Sequence, residues 1–142
     1  SIKDITKFNF HDAKVTEVVV ENDELIFVIP NGLNNDIEDQ NIRSCKLKFK
    51  LVFENEAKMT YSKYLHPKFI RRLHKDVYYK TREFLSLTDL AKLTDKKNGF
   101  EILNWNFSDT MDYINFDCVV NGIEPLRIEL DVLSAEILIE DN

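Results

Sequence analysis

The chain has 142 residues, 44% apolar and 31% charged, with a formal net charge of −6. With only three Gly and three Pro, these proportions describe one soluble globular domain spanning 1–142 and exclude a disordered or low-complexity chain. No apolar run reaches the ~18–20 residues of a membrane-spanning helix. The opening SIKDITKFNFHD lacks a signal peptide's apolar core, so a cytoplasmic protein is expected.

The N-terminal third reads as strands. Ala13 to Val20 is strongly β-branched, although its phase is mixed: Val15 falls with Glu17, while Val18 and Val20 fall on the other face. Glu21 to Glu24 is a turn, and Leu25 to Ile29 completes a hairpin that Pro30 stops. Asn31 to Ser44 is a long polar loop. Lys46 to Phe53 then alternates with period two: Leu47, Phe49, Leu51 and Phe53 point one way, and Lys46, Lys48 and Lys50 the other. A fourth strand through Met59, Tyr61 and Tyr64 is expected to pair back onto it.

Residues 58–82 form a basic island, eight Lys or Arg against one Asp, a net of +7. The rest of the chain carries 11 bases and 24 acids, a net of −13. Within the island, Pro67 changes the period. Phe69, Ile70, Leu73, Val77 and Tyr78 recur at helical spacing, which predicts an amphipathic helix over 67–82. Lys68, Arg71, Arg72 and Lys75 fall off the apolar stripe as a basic outer face and are candidate binding residues. The stretch Val77 to Phe84 also has the composition of a strand.

Ser86-Leu-Thr-Asp89 has the form of a capping box. Leu87, Leu90, Ala91 and Leu93 continue at helical spacing until Lys96, Lys97 and Gly99 close the helix. The remainder reads as a β-meander: Phe100 to Phe107 with Leu103, Trp105 and Phe107 on one phase, Asp112 to Val120 with Ile114, Phe116, Cys118 and Val120 inward, and Leu126 to Val132. Asn121-Gly122 is a hairpin turn, and Glu136 to Ile139 forms a last short strand. The fold expected is therefore α+β, predominantly antiparallel β with about seven or eight strands and one or two helices inserted at mid-chain.

Few residues suggest chemistry. His11-Asp12 pairs a base with a carboxylate, yet neighbours on an extended chain face opposite ways, so the expected role is to satisfy backbone groups at a strand entry. His66 and His74 lie two helical turns apart, too far for one metal. Cys45 and Cys118 sit on apolar strand phases without CxxC spacing. They read as reduced core thiols, with a disulfide as the alternative. Asp112, Asp117, Glu129 and Asp131 recur at strand period on the wet face, and Glu129 and Asp131 are candidate binding residues. No phosphate-cradling or metal motif occurs, so no catalytic residue, metal or cofactor is assigned.

Phe8-Asn-Phe-His-Asp-Ala-Lys-Val-Thr-Glu-Val, with the following turn and Leu25-Ile-Phe-Val, resembles the F-H-D-[AS]-x-[IV] opening of a class of small, mostly-β bacterial proteins. Most of that class are uncharacterised, and some are assigned as immunity proteins of polymorphic toxin systems. The resemblance covers about 20 residues and implies a fold neighbourhood and a non-catalytic, toxin-binding role, with no particular site residue. The expectation is a protein-binding module rather than an enzyme, with another protein as partner and neither nucleic acid nor membrane. The alternative is a small-ligand binder or enzyme with an aromatic-lined pocket, given ten Phe, five Tyr and one Trp.

Overall fold

A computed structural model describes residues 5–33, 44–52, 57–65, 79–108, 110 and 112–140. They form nine antiparallel strands and one helix, the α+β architecture expected. The strands are β1 (Lys14–Val15), β2 (Glu17–Glu21), β3 (Glu24–Ile29), β4 (Cys45–Leu51), β5 (Lys58–Leu65), β6 (Tyr79–Leu85), β7 (Phe100–Phe107), β8 (Tyr113–Val120) and β9 (Glu124–Ile139). The helix α1, Leu87–Lys96, lies between β6 and β7.

The main path runs β1-β7-β8-β9-β4-β3-β2, and its two ends are separated in the chain by Thr16 alone. The sheet therefore curls round until it meets itself. The mixed phase of the first β-branched run has its cause here. Val15 pairs with Phe100 of β7, whereas Val18 pairs with Phe27 of β3, and both are buried. The chain changes neighbours at Thr16, whose amide donates to the Val28 carbonyl at 3.0 Å.

β9 makes the second corner. Its first half lies between β8 and β5, and its second half pairs with β4. Leu126, Ile128, Leu130 and Val132 are buried in phase, then the phase moves to Ala135. Lys50 pairs with Ser134 and Leu51 with Val132, so Leu133 is an extra, exposed residue at a β-bulge that bends the strand. The last two strands expected from the sequence are thus one bent strand. A similar bulge at Leu103 corrects the phase expected for β7: Phe100 and Ile102 are buried, Leu103 is exposed, and Trp105 and Phe107 pack on the core.

Aromatic rings fill the interior. Phe27 meets Phe49, Phe100 and Phe116 edge-on at centroid distances of 5.3, 5.6 and 5.8 Å, and Phe49 meets Phe116 at 5.8 Å. Cys45 and Cys118 are buried there as free thiols, as the apolar phases suggested. Phe53, on the phase of Leu51, lies outside the described residues, as does most of the polar loop before Ser44.

Two further expectations are corrected. β5 does not pair back onto β4, because both edges of β4 are taken by β3 and β9; it pairs with β9 and β6 instead. Of the helix expected over 67–82, residues 67–78 lie outside the described residues, and its end is strand. Tyr79 to Leu85 pairs with Leu65 to Met59, in keeping with the strand composition of Val77 to Phe84. α1 forms as the capping box predicts. Asp89 N donates to Ser86 Oγ at 3.1 Å, and Ser86 N donates to Asp89 Oδ2 at 3.3 Å. Its buried Leu87, Leu90 and Thr94 serve a helix that lies against β2.

Candidate functional site

The chain's two charge populations meet on the outer face of β8, β9, β5 and β6. Residues of these strands alternate in and out, so one register row sets Asp117, Arg127, Thr60 and Phe84 side by side. The next row sets Asn115 beside Glu129 and Lys58, and beyond it Tyr113 faces Asp131. Ser62 is paired with Arg82. The β5–β6 hairpin thus brings Lys58 and Arg82, both from the basic island, against the acidic strands.

Within these rows the side chains are tied together. Arg127 Nε donates to Glu129 Oε1 at 2.9 Å, and the Tyr113 phenol feels the charges of both. Partial burial, and then the Glu129 charge, push the Tyr113 phenol above its ordinary value. Slight burial works against the Arg127 charge, but Asp117 and Glu129 outweigh it and raise the guanidinium. Tyr113 and Arg127 stand on either side of Asn115 along the two strands, and this outward-facing asparagine is only 8% exposed. Its Oδ1 is enclosed and accepts no hydrogen bond.

Beside this triad an open cleft of about 430 Å³ is lined by Thr60, Ser62, Arg82, Asp117, Arg127 and Glu129, among others. Phe84, 81% exposed, flanks Thr60 at the edge of the same face. The opposite face, on β2 to β4, is balanced differently. Lys48 lies 3.3 Å from Glu24 and 4.0 Å from Glu136, and Lys46 lies 3.6 Å from Glu140, so two of the three outward lysines expected from the sequence meet carboxylates.

Of the candidate binding residues, Glu129 and Asp131 stand on the face just described. Lys68, Arg71, Arg72 and Lys75 lie outside the described residues, as do His66 and His74. Asp112 is not a strand residue; it closes the turn before β8, accepting from Ser108 Oγ at 3.1 Å and from Thr110 Oγ1. These two hydroxyls hold its carboxyl below the usual range.

His11 and Asp12 approach more closely than an extended chain allows, because Asp12 has φ 64°. Nε2 and Oδ2 are 3.6 Å apart, while His11 Nδ1 donates to the Leu103 carbonyl at 2.9 Å. The imidazole therefore satisfies the carbonyl that the β7 bulge turns away from its ladder. Both side chains are exposed. Among the described residues no three His, Cys, Asp or Glu side chains converge as a metal site, and no helix is long and apolar enough to cross a membrane.

The sequence pointed to Glu129 but not to Asn115, Tyr113 or Arg127 as its companions. Their signal was the polar phase of two strands, which reads as ordinary solvent face until the β8–β9 register is known. No family model, curated protein or solved structure matches this chain.

Proposed function

We propose that this protein is a non-catalytic protein-binding module, immunity-like in its action, which docks a toxin domain on the outer face of β8, β9, β5 and β6. One observation supports the reading: basic and acidic strands share a single face on which Arg127 is paired with Glu129 and Phe84 is exposed. Exposed aromatic side chains such as Phe84 are prominent among the residues that dominate the energetics of protein interfaces. The ten acids against one base in the last 42 residues would steer the protein toward a basic partner such as a nuclease domain. A reducing cytoplasm suits the two buried thiols.

A small-ligand pocket has less support, because the large core aromatics are packed against one another and the cleft beside Arg127 has a polar, charged lining. The test is association with the product of an adjacent toxin-like reading frame, followed by stopped flow. Raising ionic strength from roughly 0.01 M to 1 M shortens the screening length from about 30 to 3 Å. The on-rate should fall by more than tenfold across that range. An on-rate indifferent to salt would contradict the steering, and no association with such a product would contradict the reading itself.

A further inference from the structure

Asn115 is an outward residue that the protein has covered without satisfying. Its Oδ1 is enclosed, and no donor reaches it. Asn106 is its register partner on β7, yet the Asn115 acceptor takes no hydrogen bond from it. Asp117 lies two residues along β8, roughly 6.8 Å away, and Glu129 lies directly opposite on β9. Arg127, opposite Asp117, spends its Nε on Glu129, leaving the Asn115 acceptor unfilled. A buried acceptor without a partner destabilises the free protein, whereas an apolar side chain of similar volume at that position would not.

We propose that Asn115, Asp117 and Glu129 form the seat for a guanidinium, an arginine side chain presented by the partner. This rests on the protein-binding reading above and names the group that the face would recognise. A guanidinium carries five donors in a planar fork, enough to engage Asp117 through two parallel bonds and still donate to Asn115 Oδ1. Arg127 holds the position in the free protein. It is exposed, with 53% of its side chain accessible, so it swings aside without disturbing the core. Binding exchanges one guanidinium for another above Glu129 and fills the acceptor that Arg127 leaves open. On the outward rows of β8 and β9, Asp117, Glu129 and Asp131 outnumber Arg127, while Lys58 and Arg82 stand on the adjoining β5 and β6.

The test uses the intact protein and Nα-acetyl-arginine amide, with the citrulline analogue as a neutral isostere, followed by amide and side-chain NMR. The arginine probe should shift the Asn115 side-chain amide and Arg127 Nε saturably, and the citrulline probe should not. Asn115→Leu should raise the thermal midpoint yet weaken the probe by about tenfold, which separates loss of binding from loss of folding. Asp117→Asn should weaken it similarly, and Arg127→Ala should tighten it by removing the competing guanidinium. Shifts that do not saturate, that map to other strands, or that persist unchanged in Asn115→Leu and Asp117→Asn would overturn the proposal. Toxin association that survives both substitutions unchanged would also overturn the guanidinium seat while leaving the protein-binding reading standing.

Discussion

Gly99 and Val15 are packed so closely that a Cβ on Gly99 would lie 2.2 Å from the Val15 carbonyl oxygen. The contact joins the end of α1 to the short strand at one end of the sheet path. Gly99 also has φ 89°, and its amide donates to the Thr94 carbonyl at 2.7 Å to close the helix. Backbone strain and overlap with a fixed carbonyl act together in Gly99→Ala. The substitution should lower unfolding stability by about 2–4 kcal/mol in urea titration. At the preceding Asn98, φ 58°, glycine should be tolerated or slightly stabilising.

The start of α1 offers a milder perturbation. Ser86→Ala removes the acceptor for the Asp89 amide and should cost about 0.5–2 kcal/mol. The Ser86 hydroxyl, and then the Ser86 amide, hold the Asp89 carboxyl below its ordinary value. A carboxylate lowered in the folded state stabilises fully above the unfolded pKa of about 3.9, and that contribution is lost as pH falls through the lower folded value. Asp89→Asn should therefore flatten the acid limb of the stability–pH curve while leaving the alkaline limb unchanged.

The two thiols predict an opposite dependence. Burial, and then the Glu140 charge, push Cys45 up to about 11; burial, and then Asp117, push Cys118 up as well. A thiol raised in the folded state favours folding below the unfolded value and loses that advantage as pH climbs through the folded one. For Cys45 the window runs from 9.0 to about 11. Stability should decline across it, and less so in Cys45→Ala after correction for the cavity. In the native protein at pH 8 both thiols should resist iodoacetamide and become alkylated only on unfolding, as read by mass spectrometry.

The elements most legible in the sequence were those whose local rules agree with the final packing. The Ser86–Asp89 box forms as read, Asn121 and Gly122 take the left-handed conformations their turn requires, and Lys46, Lys48 and Lys50 face outward. What the sequence hid depends on partners distant in the chain. Thr16 divides one β-branched run between two neighbours, and Leu133 turns two apparent strands into one. β5 takes its partners from β9 and β6, neither of them next to β4 in the chain. The role of His11 was partly visible, as a group satisfying the backbone, but its acceptor, Leu103, lies 92 residues away on a bulge. The site follows the same logic: Glu129 was visible as an outward acid, whereas Asn115 gains its meaning only from strands that meet in three dimensions.

The most direct measurement of the central claim compares charge reversal on the two faces. Glu129→Lys places a cation beside Arg127 on the proposed docking face, and Glu136→Lys places one beside Lys48 on the opposite face. Both acids lie on β9, carry the same charge and belong to the same acidic segment, so long-range steering changes alike in the two variants. Association with the adjacent toxin-like product, measured by calorimetry at roughly 0.15 M salt, should weaken by at least about a hundredfold in Glu129→Lys, the scale of placing a like charge in an interface. It should change by only a few-fold in Glu136→Lys. Equal losses in the two variants, or a larger loss in Glu136→Lys, would contradict the assignment of the binding face to β8, β9, β5 and β6.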